Sequence, residues 1–201
     1  MTVLNKRRVV VTGIGLITPL GNDTVTVWSH LIEGKSGVDY ITQCESDPFP
    51  SKVAAEVKDF DPSKYISPKE HKRMARFSQL AVAAACIAIE QASIEIGQIN
   101  SGRIGVVIGN GNGGFPDIEA NARLLVDKGA MRVSPFFIPM ILPNMAAANV
   151  SRVFGIKGYT STITTACAAG TQSIGEAAEV LKKGYANVIL AGGCEAGISQ
   201  L

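Results

Sequence analysis

The chain has 201 residues, 46% hydrophobic and 18% charged, which is the composition of a soluble globular protein with enough apolar material for one core and excludes a disordered tail. Its formal charge of +2 is too small to argue for a nucleic-acid partner. The four cysteines, Cys44, Cys86, Cys167 and Cys194, have neither C-x-x-C spacing nor neighbouring histidines, so neither a metal knuckle nor a disulfide framework is indicated and a reducing cytoplasm is the expected setting.

In chain order, "KRRVVVTGIGLITPLG" imitates a secretion signal, but Thr12, Gly13 and Gly15 interrupt the apolar run and no small-x-small cleavage site follows. Its "RVVVTGIG" reads instead as a buried strand ending in a glycine turn. "NDTVTVWSHLIEGKSG" reads as a capped helix closing at Gly34. The charged run "SPKEHKRMARF" leads into a long helix over residues 76–96 with a small-residue face. The longest apolar stretch, residues 80–89, is about half of what a bilayer span needs, so it is expected to be a buried helix and no membrane partner is expected. "RIGVVIGNGNGG" repeats the strand-then-glycine design, and "SPFFIPMILPN", with Pro135, Pro139 and Pro143, is an irregular connection and not a strand. "YTSTITTA" is a Thr-rich strand over residues 160–166, followed by a helix over residues 169–183, and "NVILAGGCEAG" gives the third strand-turn unit. Short β-branched runs followed by glycine turns and helices predict an α/β fold, its strands buried and parallel under helices on both faces. With no linker or low-complexity segment, residues 1–201 read as one domain. The chain ends soon after a core strand without a closing helix, and the domain is therefore expected to be incomplete at its C-terminus.

Cys167 falls where the Thr-rich strand passes into the helix. First-turn amides have no partners inside a helix and, with the helix dipole, favour negative charge, so they stabilise a thiolate. The same amides can hold the oxyanion formed when a thioester carbonyl is attacked. The small residues Ala168, Ala169 and Gly170 leave room for such a substrate. By its local sequence alone, Cys167 is either a nucleophile of this kind or a structural cysteine packed as a small hydrophobe, as Cys86 is read.

Taken together, "RRVVVTGIGLITPLGN", "GKSGV", "RIGVVIGNGNGG", "SPFFIPMILPNMAA" and "TACAAGTQSIGEAAEVLKKGYANVILAGGCEA" resemble, in order and spacing, the N-terminal half of β-ketoacyl-acyl-carrier-protein synthases, the type II condensing enzymes of bacterial fatty-acid synthesis. The resemblance covers essentially the whole chain. It implies a thiolase-like fold, here its N-terminal half, with a mixed sheet and helices on both faces. It also implies that Cys167 accepts an acyl group from a carrier-protein thioester, after which malonyl carrier protein loses CO2 and its carbanion attacks the acyl-enzyme. No cofactor is implied beyond the phosphopantetheine of the carrier protein, and no metal.

By the same resemblance Asn112 lines the deep acyl pocket, where the family usually places an apolar residue or glycine; the other reading is that Asn112 simply turns its loop. Phe137 matches the residue that reaches into the partner subunit's pocket, which implies a homodimer. Lys69, Lys72 and Arg73, with Arg132 as a second contact, match the docking face for acidic acyl carrier protein, although a charged helix face is more often ordinary solvation. The family's second stage uses two histidines and a lysine from the C-terminal half, and neither His30 nor His71 matches those positions; both are expected to be solvated.

Three rival readings differ in class. "GNGNGG" satisfies G-x-G-x-x-G after a strand, as in dinucleotide-binding enzymes, but the expected acidic residue about 20 positions on is replaced by the proline-rich segment. A non-catalytic partner subunit of a ketosynthase pair would typically have lost the cysteine that this chain keeps. In a coenzyme A-dependent thiolase the nucleophile lies much earlier in the chain.

Overall fold

The computed structural model describes residues 7–201. Helix α1 (Thr24–Ile32) starts at Asp23, whose carboxylate accepts the Thr26 amide, and Gly34 with φ +67° turns the chain away at its end. A small antiparallel hairpin follows, β1 (Val38–Tyr40) with β2 (Val53–Ala55), too short to carry a readable alternation in the sequence. Next come α2 (Pro68–His71) and α3 (Arg76–Gln91). The latter stops short of the expected residue 96, because Ser93 takes the left-handed φ of +52°.

Strand β3 (Ile104–Gly109) is the centre of the fold, every residue of it buried. Helix α4 (Phe115–Lys128), the short α5 (Phe137–Ile141) and α6 (Met145–Phe154) lead to β4 (Thr160–Ile163), then α7 (Ala169–Lys182) and β5 (Val188–Gly193). The proline-rich connection is thus no strand, as expected, but it does contain a single helical turn. β4 and β5 pair with opposite edges of β3, both parallel to it. Among the described residues this sheet is wholly parallel, and antiparallel pairing between strands is confined to the hairpin.

Period-two alternation along β3 separates two layers. Ile104, Val106 and Ile108 join Phe77, Val82, Ala146 and Val150 of α3 and α6 in one core cluster. On the opposite face the β3 backbone meets α7 directly, since a Cβ at Gly109 would collide with the Ala169 carbonyl. Helices therefore cover both faces, and the alanines of α3 and α6 let those helices pack closely. Burying each large side chain of this core contributes about 1.5–3 kcal/mol.

The first expected strand is a correction. Residues 8–15 run without a ladder partner among the described residues, and Val10 and Val11 are 65% and 77% exposed. The segment leans on α3, Ile14 donating its amide to Gln91 Oε1 at 2.6 Å. It shares with α7 and β5 an apolar groove of about 570 Å3. β-branched residues give an extended backbone; pairing also requires a strand edge at hydrogen-bonding distance, which this segment lacks.

Candidate active site

Because β4, β3 and β5 are parallel, their C-terminal ends share one edge of the sheet, where α/β folds gather ligands and reacting groups. Three loops emerge there: residues 164–168, 110–114 and 194–197. β4 ends at Ile163, earlier than the expected residue 166, because the chain then tightens into a 3-10 turn (Ala166–Ala168) that runs straight into α7. Cys167 is the middle residue of this turn and is exposed. Ala166 before it has φ +49°, a left-handed conformation that costs a residue with a Cβ about 1–2 kcal/mol. The turn thus lifts the cysteine clear of the sheet.

The backbone behind Cys167 is closely packed. Gly109 abuts Ala169, and a Cβ at Gly193 would stand 2.7 Å from the Gly170 Cα. The ends of β3 and β5 therefore press directly on the first turn of α7 and fix the thiol relative to the sheet. Cys167 opens into a cavity of about 420 Å3 bordered also by Asn110, Asn112, Gly170, Cys194 and Glu195.

The polar residues there form one network. Asn110, 1% exposed, donates from Nδ2 to the Cys194 carbonyl at 2.8 Å and to Glu195 Oε1 at 3.3 Å, while its Oδ1 accepts the Gly113 amide at 2.6 Å. Glu195 Oε2 accepts the amides of Gly111 at 2.9 Å and Asn112 at 3.3 Å. Burial, and secondarily the Glu195 charge, pushes the Cys194 thiol up to about 12, so it stays protonated and inert near neutral pH. Burial likewise raises the Cys86 thiol. Of the two thiols at this cavity, only Cys167 is presented for reaction.

Cys167 and Asn112 thus border one cavity, whereas Phe137 stands apart from it, half-buried at the start of α5. Lys69 in α2, Lys72 at its C-terminal end, and Arg73 are exposed, and the Arg73 guanidinium lies 4.7 Å from the centroid of the Phe136 ring. Glu70, the acid within the basic run, is paired with Arg152. Arg132 is exposed in a 3-10 turn after α4. Neither histidine borders the cavity, and neither is simply solvated: both are half-buried, with His30 Nδ1 2.6 Å from the Leu20 carbonyl oxygen. Asn110 and Glu195 were not anticipated. Their available signal was position, polar residues directly after glycine-ended apolar strands, where a parallel sheet turns its residues toward a site.

Among the described residues there is no group of three or more His, Cys, Asp or Glu able to hold a metal ion, and no helix long and apolar enough to cross a membrane. Nor does a phosphate cradle form at "GNGNGG": the Gly111 and Asn112 amides that would bind an anion are already taken by Glu195.

Known proteins agree with this arrangement. The "Beta-ketoacyl synthase, N-terminal domain" family matches residues 6–201. The chain is 43% identical over 195 residues to 3-oxoacyl-[acyl-carrier-protein] synthase 2 of Staphylococcus aureus strain COL, covering 97% of this chain and 47% of that protein. It is also 43% identical over 201 residues to the Synechocystis protein of the same name, covering 48% of it. Among solved structures, the ishigamide ketosynthase/chain length factor superposes with a TM-score of 0.88 at 29% identity, over 94% of this chain and 47% of that one. The AntDE:AntF structure, a type II PKS acyl-carrier protein in complex with its ketosynthase bound to the hexaketide, gives 0.80 at 28% identity, over 93% and 50%. The chain spans about half the length of the curated relatives it matches. With its parallel sheet, its cysteine at the strand-to-helix turn and a sequence match over nearly all residues, this chain belongs to the β-ketoacyl synthase N-terminal domain family.

Proposed function

We propose that this chain carries the acyl-accepting half of a β-ketoacyl-acyl-carrier-protein synthase: Cys167 takes an acyl group from a carrier-protein thioester, and the complete protein then condenses it with malonyl carrier protein in fatty-acid elongation. The observation that carries the reading is the exposed Cys167 thiol, held at a tight turn against the start of α7 and facing a cavity. In the transfer the Cys167 sulfur attacks the thioester carbonyl, the carbon–sulfur bond to phosphopantetheine breaks, and the carrier leaves as its thiol. The Ala168 and Ala169 amides already donate to the Thr165 and Ala166 carbonyls within the turn, so the backbone amide of Cys167 itself is the proposed donor for the oxyanion. Incubation with acyl carrier protein or with the corresponding coenzyme A thioester, read by mass on Cys167, tests the reading. Preferential acylation by coenzyme A would favour a thiolase-like acyltransferase instead, and no acylation by either would favour a non-catalytic subunit.

The carrier protein is proposed to dock on Lys69, Lys72, Arg73 and Arg132, exposed cations that suit an acidic partner. Opposite charges across an interface mainly raise the association rate. The double reversal Lys69→Glu/Lys72→Glu is expected to lower that rate about tenfold at low salt and to flatten its salt dependence, with little change in dissociation. Stopped-flow binding at two ionic strengths checks this; an unchanged association rate would place docking elsewhere.

A homodimer is also proposed. β4 is an edge strand of half-buried and exposed residues with one side unpaired among the described residues, and Phe137 lies outside its own chain's cavity, free to serve a partner's. Light scattering of the complete protein is expected to give twice the subunit mass, and a stable, active monomer would contradict it.

A further inference from the structure

We propose that Glu195 is a positioning residue: its carboxylate holds a loop that walls the cavity Cys167 also borders, and so determines how strictly the site discriminates among acyl chains. The inference rests on the acyl-accepting reading of Cys167. Residues 110–114 are all glycine or asparagine, so they have little side-chain packing of their own, and unrestrained they would sample many conformations. The Asn110 and Gly114 amides at the two ends donate to the Ile163 and Ile141 carbonyls, and what restrains the residues between is polar. Glu195 accepts the Gly111 and Asn112 amides and the Asn110 side chain, while Asn110 accepts the Gly113 amide, so that two side chains from different loops take three consecutive backbone amides.

Every hydrogen-bond partner of the carboxylate in this network is a donor from the loop or its Asn110 anchor, and among the described residues no lysine or arginine forms an ion pair with it. Such charge-assisted bonds are about twice as strong as neutral ones and are lost together if the acceptor is lost. The loop presents Asn112 to the same cavity as the Cys167 thiol. A wall fixed in this way excludes chains that do not match it, whereas a loosened wall yields to them.

Glu195→Gln preserves shape but turns one acceptor oxygen into a donor facing other donors. In the complete protein, this variant and the wild type are compared for Cys167 alkylation by iodoacetamide, acylation by hexanoyl and hexadecanoyl carrier protein, and hydrogen exchange at residues 111–113. The expected result is alkylation within about twofold of wild type, faster exchange at those amides, and a ratio of the two acylation rates moved about tenfold toward one. A purely structural role would lower both rates together and leave their ratio intact; that outcome, unchanged exchange, or a wild-type ratio already near one overturns the proposal. If Glu195→Gln melts below the working temperature, Glu195→Asp serves, with a smaller shift of the ratio expected and an unchanged ratio again overturning it. A wild type alkylated at Cys167 but acylated by neither donor would overturn the acyl-accepting reading itself, and the discrimination role with it, while altered exchange in the variant would still report the clamp.

Discussion

Cys167→Ala is expected to lower acyl transfer in the complete protein by at least about 10,000-fold and to remove the acyl adduct entirely, because a lost nucleophile cannot be replaced by the binding groups around it. The local structure makes this specific to one of the two thiols at the cavity. Cys194 borders the same space, but burial and the nearby Glu195 hold its thiol at about 12. Between about pH 6 and 9 it should therefore take neither acyl group nor alkylating label. The linkage has a definite sign. A thiol whose folded value lies above its unfolded one contributes to stability below the unfolded value, near 9, and that contribution is lost as pH rises from there toward about 12. Labelling of Cys194 or Cys86 in place of Cys167, read by peptide mass at neutral pH, would sink the assignment.

The 201-residue chain by itself is expected to be unable to condense. Decarboxylation of a malonyl thioester needs groups that stabilise the developing enolate, and no histidine borders the Cys167 cavity: His30 has its Nδ1 at the Leu20 carbonyl and His71 sits in α2. Losing an oxyanion donor costs about 100-fold to 1,000-fold, and losing a general acid or base costs a comparable factor again. Release of CO2 from malonyl carrier protein should therefore fall at least about 1,000-fold below a typical turnover of roughly 10 per second. Trp28, Ile32 and Val11 are 64%, 69% and 77% exposed, so the isolated chain should also tend to self-associate. Turnover within about tenfold of the typical value would show that residues already present supply the missing chemistry.

The sequence by itself determined the α/β class, the three sheet strands, the capped first helix and the placement of Cys167 between strand and helix. Each of these is written in local periodicity, in caps or in glycine punctuation, and the family resemblance added the acyl-accepting role proposed for the cysteine. Its expected strand at residues 8–15 failed for a reason no local pattern holds. A β-branched run specifies extended backbone, but pairing depends on where another strand's edge lies, and this run leans on α3 instead. The long helix likewise stopped at Gln91 where Ser93 turns left-handed, a conformation that serine does not advertise. The site divides in the same way. Cys167 could be read because its neighbours in sequence are its neighbours in space. Asn110 and Glu195 could not be paired in advance: 84 positions separate Glu195 from the Gly111 amide it accepts, and only the parallel pairing of β5 with β3 brings the two glycine-ended loops together. Hydrogen bonds across such a separation follow from the strand order of the sheet, so tertiary structure alone decided which polar groups face the thiol.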